Sequence, residues 1–503
     1  MLTAASDALP MIEAKASTAS IKNWWSRHGY ILPAYCVTVL VCAWFVTWGN
    51  WNFFDKEDFC GFYDAQARSI LSGRLDVPPA AIGTESFSFG GKTYGYFGIA
   101  PSLLRIPLVA IFKNMDGRWS HLMMFIASLI NLVCAYRVLQ LVAGNPRSFT
   151  NRILHSLFIL CAGLGSTNLF LLARSFTFHE AIMWSATFGL LFALTILKYL
   201  RQPSVWSLSV AGLWAFMSLH SRATIGAGAL LGLILLSGIL VHRAVKKLPD
   251  QDGFFGLSEV SKPWLHASVA AGLATFIVLS YFAVNYARFH TFDGVPLKYY
   301  DFYVRNPVYL QMTGGKQIHL ENIPTTLASY FGFHALWLDP MFPWIFPSRE
   351  ATFIGDPVIM VVEGFSTLPV SMPALFGLAL LGCQPLICGT NLTMRRLRLP
   401  ALAVFAGGTV MLATVAITER YLHDLYPVLI IAAASGVGRL IQQKYVRLAV
   451  IGLGLLSICS FAINGAFAIE NQRLDAWSMG GVPEGTRAEF KQLQKSIYRA
   501  FHH

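Results

Sequence analysis

Apolar runs about twenty residues long recur along most of this 503-residue chain, and they narrow its possible folds more than any motif does. A helix needs about 20 consecutive, mostly apolar residues to cross the hydrocarbon of a bilayer. Segments near 32–49, 119–141, 153–173, 180–200, 204–219, 223–242, 265–286, 371–390, 400–418, 424–441 and 447–468 fit that description. Inside lipid, every backbone polar group must be satisfied within its own segment, which selects helices. The expected fold is therefore all-α: a polytopic membrane protein of about 11 transmembrane helices. Composition agrees, at 55% hydrophobic and 13% charged, where soluble domains carry about 25% charged residues. A shorter apolar piece, Ile99–Phe112, is interrupted by Pro101, Arg105 and Pro107. It is predicted to lie on or dip into the membrane surface.

The net charge of +12 brings nucleic acid to mind, but the distribution of the basic residues argues against it. Many of them fall in short loops: Arg147 and Arg152; Lys198 and Arg201; Arg243, Lys246 and Lys247; Arg395, Arg396 and Arg398; Lys444 and Arg447. These loops alternate, as orientation signals do, and their charge suits anionic headgroups. If they are cytoplasmic, the N-terminus is inside and the C-terminus outside. The first 30 residues are polar and show no cleavable signal peptide, so the first span is expected to stay as an anchor. Seven of the eight cysteines lie in apolar segments, Cys60 alone lies in a charged loop, and no disulfide framework is expected.

These rules divide the chain into a cytoplasmic tail (1–30), an N-terminal membrane module (31–286) with a first external loop (50–98), a long external loop (287–370), C-terminal membrane helices (371–468) and an external tail (469–503). Loop one is predicted to hold a helix over Tyr63–Ser72 ended by Gly73, and a hairpin around Gly90-Gly91. The long loop is rich in Phe, Tyr, Trp and Pro, as segments at the membrane–water boundary are.

Chemistry concentrates on the external side. Loop one reads Trp51-Asn-Phe-Phe-Asp55-Lys-Glu57-Asp58-Phe-Cys-Gly-Phe62-Tyr63-Asp64-Ala-Gln-Ala-Arg68 and continues to Gly73-Arg-Leu-Asp76-Val-Pro78. Ionisable residues at the mouth of a membrane protein are costly and usually functional. This stretch, with Gly91-Lys-Thr-Tyr-Gly-Tyr-Phe-Gly-Ile-Ala-Pro101-Ser-Leu-Leu, resembles the first external loop of GT-C membrane glycosyltransferases, in the branch of aminoarabinose transferases and protein O-mannosyltransferases. The resemblance covers residues 30–110; beyond them it is one of topology, plus the external pair Arg420-Tyr421. The adjacent Asp-Glu usual in that family is absent, its nearest equivalents being Glu57-Asp58 and Asp64.

The resemblance implies transfer of a sugar from a polyprenyl-phosphate donor to a hydroxyl of a lipid-linked or cell-envelope acceptor, with inversion. It also implies a bacterial inner membrane, with the site facing the periplasm. Such a reaction needs a carboxylate to take the hydroxyl proton, a cation for the departing lipid phosphate and an apolar groove for the prenyl chain. Asp64 and Asp58 are the candidate bases. Asp64 also stands four residues before Arg68, the spacing of an ordinary helical ion pair, and Asp58 also reads as a solvated loop acid.

Arg222 and Arg420, each in a very short external turn, are candidate phosphate ligands because a planar guanidinium donates to two oxygens at once. They read equally as interfacial arginines that snorkel or pair with Glu419 or Asp424. Glu180 follows His179 at the outer end of a span, as a site acid or as a helix N-terminal acid favoured by the dipole. Tyr63, Tyr421, Lys298 and His334 complete the candidate substrate-binding set; Tyr63, Tyr94, Tyr96 and Phe97 offer rings to a sugar, and each reads at least as well as simple packing.

No metal spacing is seen. Asp250-Gln-Asp252 falls on the cytoplasmic side, and relatives with monophosphate donors manage without a cofactor. A divalent cation held by loop-one acids is the alternative. Asn391-Leu-Thr393 matches the glycosylation pattern by chance, and Gly436-Val-Gly438 reads as close helix packing. A transporter or flippase for a lipid-linked sugar is the rival reading, and a non-catalytic scaffold the third. Site charges gathered at one face, with unlike halves, favour the enzyme over the transporter.

Overall fold

The computed structural model describes residues 25, 28–57, 60–246, 253–333, 336–474 and 482–501. Asp58, His334, Asp250 and Asp252 lie outside the described residues. The membrane helices are α1 (Leu32–Val46), then α4 (Ser120–Ala143), α5 (Phe149–Gly163), α7 (Thr177–Arg201), α8 (Val205–Leu219), α9 (Ala223–Lys246) and α10 (Pro263–Phe289). Four more follow: α15 (Pro373–Cys388), α16 (Leu392–Thr409), α17 (Tyr426–Ile441) and α18 (Val446–Arg473). Between them run the shorter α2 (Phe62–Leu71), α3 (Ala100–Ile111), α6 (Asn168–Ala173), α11 (Asp301–Arg305), α12 (Pro307–Thr313), α13 (Ile323–Phe331) and α14 (Leu368–Ser371), and α19 (Glu484–Phe501) closes the described chain. Helices α1, α10, α15 and α17 start with proline in the first turn, where its missing N–H leaves no bond unmade.

Each of the eleven apolar segments thus has a helix. Eight helical stretches are long and apolar enough to cross a membrane unaided. Helices α8 and α15 are apolar but have only 15 and 16 residues, and the segment read as one span over 153–173 is split into α5 and α6. Burial separates the centre from the rim. In α7 and the stretch ending in α17, 83% and 78% of the apolar window is buried within the protein, against 22% in α10 and α18. The latter two therefore present most of their apolar surface outward, to lipid.

Backbones approach most closely between α15 and α17. A Cβ added at Gly382 would lie 1.8 Å from the Ala432 carbonyl oxygen, and one at Gly436 would lie 2.0 Å from that of Leu378. Small residues permit this, as expected for Gly436. Asn391, in the glycosylation-like triplet, caps α16, its side chain accepting from the Met394 N–H at 2.8 Å. All eight cysteines are free, and the buried Cys60 thiol donates to the Ser175 carbonyl at 2.9 Å.

Loop one forms α2, a hairpin of β1 (Phe87–Phe89) and β2 (Lys92–Tyr94), and the short helix α3. The long loop adds a second hairpin, β3 (Leu336–Leu338) with β4 (Ile345–Pro347), and its β5 (Met360–Val361) pairs in parallel with β6 (Ala416–Ile417), which lies between α16 and α17. The two loops are fastened together. Phe87 stacks on Tyr300 with centroids 4.9 Å apart and planes 13° apart. Asp301 accepts from Ser86 Oγ at 2.5 Å and Ser88 Oγ at 3.0 Å. Arg288, ending α10, donates to the carbonyls of Gly95 and Phe97 at 2.7 and 2.8 Å. One face of the protein, called the loop face below, carries both.

Candidate functional site

Among the polar assemblies beneath loop one, two have opposite characters. The first is sealed. Arg105 on α3 donates through Nη1 to Asp64 Oδ1 on α2. Its Nη2 lies 2.7 Å from both Glu180 oxygens on α7 and 3.0 Å from Ser120 Oγ on α4. Asp64 Oδ2 accepts the Gly117 N–H at 2.5 Å, and Ser120 Oγ donates to Glu180 at 2.8 Å. All three charged side chains are 0% exposed. Burial opposes the charge on Arg105 most strongly, but Glu180 and Asp64 outweigh it and its pKa rises. The expected Asp64–Arg68 pair does not form; Arg68 turns to Asp116, Nη2 to Oδ1 at 2.7 Å.

The second assembly is open. A cavity of about 320 Å³ lies between the turn joining α8 to α9, the end of α10 and the chain around Tyr421. Leu219, Ala223, Ala227, Ile318 and Val410 supply apolar wall; Tyr96, Arg222, Thr224, Gln317 and Tyr421 supply polar groups. Tyr96 is brought there by Gly98, where an added Cβ would fall 1.9 Å from the His220 carbonyl oxygen; the same oxygen accepts the Ala100 N–H at 2.7 Å. Only glycine allows residues 96–100 to lie this flat on the 220–222 turn.

Arg222 and Arg420, nearly two hundred residues apart, meet around one ring. Arg222 Cζ lies 4.7 Å from the Tyr421 centroid and Arg420 Cζ 5.8 Å from it. Arg222 uses Nε alone on Asp424, at 2.9 and 3.0 Å, and Thr224 Oγ1 donates to the same carboxylate at 2.9 Å. Arg420 uses Nη1 on Glu363 at 2.6 Å and stacks on Phe178 with Cζ 4.3 Å from the centroid. Among the described residues the remaining guanidinium nitrogens of both make no hydrogen bond. Each arginine is thus oriented by one carboxylate, with donors left over. The pairing with Asp424 weighed for these arginines is made by Arg222, whereas Arg420 takes Glu363. Burial is the largest influence on Arg222, yet Asp424, Tyr421 and Tyr96 hold its pKa up.

A half-buried carboxyl that sequence reading did not single out, Glu85, joins this assembly. It hydrogen-bonds Tyr300 and feels the charge of Arg420, but burial dominates and pushes its pKa up to about 7. Tyr96, beside it, is raised by burial first, then by Glu85 and Tyr421. Nothing in the local sequence, Gly-Thr-Glu-Ser, marks Glu85; only the docking of the hairpin onto the long loop brings it in.

Other candidates fall elsewhere. Tyr63 donates to the Thr177 carbonyl at 3.2 Å within a buried aromatic cluster with Phe62, Phe97 and Phe178. Lys298 is exposed, 4.8 Å above the Tyr299 ring. Glu57 is held by Arg174, by the Ser175 N–H at 2.8 Å and by His121 at 3.3 Å. Burial pushes the Glu57 carboxyl up most strongly, but His121 and Arg174 together bring it below the usual range. Asp64 and Glu180 do not line the cavity, and neither does Arg420, which reaches it through Tyr421. Among the described residues no group of three or more His, Cys, Asp or Glu side chains is placed to hold a metal ion.

No family model and no curated protein matches the chain. Among solved structures it is similar to the apo crystal structure of the Archaeoglobus fulgidus oligosaccharyltransferase, with TM-score 0.47 and 12% identity over 92% of this chain and 57% of that one. It is also similar to that organism's oligosaccharyltransferase AglB in complex with an inhibitory peptide and a dolichol-phosphate, with TM-score 0.46 and 12% identity over 89% and 56%. A third is ArnT from Cupriavidus metallidurans bound to undecaprenyl phosphate, with TM-score 0.42 and 11% identity over 88% and 76%. These neighbours are GT-C membrane glycosyltransferases. The chain spans little more than half the length of the archaeal enzyme.

Proposed function

We propose that this protein is a membrane glycosyltransferase that moves a sugar, hexosyl or pentosyl, from a polyprenyl-phosphate donor to a hydroxyl of a lipid-linked or cell-envelope acceptor, with inversion, and that the loop face is non-cytoplasmic, in a bacterial inner membrane. One observation carries the reading: Arg222 and Arg420 converge on Tyr421 beside a cavity with apolar walls, each held by a single carboxylate. A phosphate is doubly served by such a pair, and a prenyl chain needs the adjoining apolar wall. As the glycosidic bond breaks, charge grows on the departing phosphate, and guanidiniums fixed in advance stabilise it without reorganising. These two groups do here what a divalent cation would do for a pyrophosphate donor. Treatment with EDTA tests that assignment, because activity restored only by Mn²⁺ would return the role to a metal.

The base is assigned to Asp58. Asp64 already has both oxygens engaged, by Arg105 and by the Gly117 N–H, and an acceptor hydroxyl has no route to it. Asp64 and Glu180 are assigned a positioning role, fixing loop one against α7. Tyr96 and Tyr421 flank the sugar, and Lys298 is assigned to the acceptor side.

The experiment is a turnover assay. Purified protein in nanodiscs is given polyprenyl-phosphate sugars, and released polyprenyl phosphate is measured by mass spectrometry. Asp58→Asn is expected to lower release by about 10²-fold or more, the usual worth of a general base, with donor binding kept. Donor that is bound or moved across the membrane but never cleaved would replace this reading with the transporter.

A further inference from the structure

Helix α19 carries a cation at every fourth position: Arg487, Lys491, Lys495 and Arg499. Residues four apart stack along one face of a helix, so the four make a single ridge. None of them enters an ion pair among the described residues, and Glu489, one turn-quarter back from Phe490, points away from the ridge by the same periodicity. Lys491, Lys495 and Arg499 are exposed and Arg487 is half-buried.

The neighbouring face is apolar and seats the helix. Phe490 packs on Phe342 with centroids 5.9 Å apart, and the Gln494 amide donates to the Phe342 carbonyl. Phe501 meets Trp344 edge-on at 6.4 Å. Around that seat apolar groups stay uncovered: Leu493, on the side of the helix away from the ridge, is 49% exposed, Phe501 75%, and on the hairpin Trp337 61% and Leu338 71%. The depth is set by the last membrane helix. Phe490 and Leu493 share one cavity with Trp44 near the end of α1 and with Ile469 and Arg473 at the end of α18. Helix α19 thus sits where the outermost spans leave the hydrocarbon.

A helix with such a basic ridge, seated at the depth where two membrane helices end, meets the headgroup layer. At that depth the anions within reach of the ridge are the phosphates of lipid headgroups. We infer that α19 and the β3–β4 hairpin form a surface anchor whose cationic ridge binds the headgroup phosphates of anionic phospholipids in the leaflet at the loop face. This inference is independent of sugar transfer.

The test uses the full chain in nanodiscs of phosphatidylcholine, with and without about a third phosphatidylglycerol, followed by hydrogen exchange of residues 484–501. Each cation near an anionic surface is worth about fivefold in binding, so exchange in α19 is expected to slow by about tenfold or more on adding phosphatidylglycerol. The slowing should be lost in 0.5 M salt and in Arg487→Gln/Lys491→Gln/Lys495→Gln/Arg499→Gln. Equal exchange of the unmutated protein in both lipid mixtures overturns the inference whatever the variant does. So does a variant that keeps the full response, with α4 exchange confirming that it is folded. Slowing by inorganic phosphate alone, in phosphatidylcholine, would make the ridge a phosphate site and not a membrane anchor.

Discussion

Replacing Arg105 with methionine is expected to destabilise the protein more than any other single change at its loop face. The side chain is 0% exposed, and so are both acids it serves. Methionine keeps most of the apolar stem, so the variant isolates the charge. Breaking a buried pair by removing one partner costs about 3–5 kcal/mol, because the other charge is left buried and uncompensated. Here one deletion strands two carboxylates, and a loss at or above the upper end, about 5 kcal/mol, is expected. The geometry supplies its own contrast. Arg68–Asp116 has the same chemistry and also starts from α2, but its side chains are 36% and 42% exposed, so Arg68→Met should cost less than about 1 kcal/mol. Unfolding by sodium dodecyl sulfate in dodecyl maltoside micelles, followed by tryptophan fluorescence, reads both. Adding Asp64→Asn and Glu180→Gln to Arg105→Met removes the stranded charges and should recover most of the loss. If Arg105→Met behaves like Arg68→Met, or the triple variant is no better than the single one, the sealed triad is not what holds loop one to α7.

Three further outcomes follow from the same structure. Glu85, raised by burial from 4.5 to about 7, stabilises the fold only while protonated; its contribution is complete below pH 4.5 and lost as pH climbs through about 7. Glu85→Gln should therefore match the unmutated protein at pH 4.5 and exceed it at pH 8, by up to about 3 kcal/mol, in melts at the two pH values; a gap independent of pH contradicts the burial. Removing one charged donor from a bound phosphate costs about 1.5–3 kcal/mol, so Arg222→Ala/Asp424→Asn, which avoids leaving Asp424 unpaired, should raise the KM for the donor by roughly 10- to 150-fold, and an unchanged KM would move the phosphate elsewhere. Gly382→Ala, whose new Cβ would lie 1.8 Å from a backbone oxygen, should destabilise by about 1–3 kcal/mol, whereas Gly452→Ala, with nothing within 4 Å, should not; equal melting temperatures would deny the close contact of α15 and α17.

What could be read from the sequence divides along a physical line. Periodicity and hydropathy are local, and they located the eleven helices, the surface helix bearing Arg105, the Gly90-Gly91 hairpin and the helix ended by Gly73. Broken or short helices were harder, because a run of apolar residues such as 153–173 reads the same whether or not its backbone bends at residues 164–167. Pairing is not local. Asp64 precedes Arg68 by one helical turn, and the sequence offers that partner first; the structure gives it Arg105 instead, forty-one residues away, because α3 folds back beneath α2 and a carboxylate sealed there must be paired inside the protein. Arg222 and Arg420 were legible as arginines in short turns, but their meeting at Tyr421 depends on how α8, α9 and the chain before α17 pack, which no window of residues encodes. Glu85 shows the limit most clearly. It acquires its raised pKa only when Phe87 stacks on Tyr300 and Ser86 and Ser88 bind Asp301. Those contacts also predict its behaviour: any substitution that undocks the hairpin, such as Asp301→Ala, should return the Glu85 carboxyl toward its ordinary range and free Arg420 of one of the charges around it.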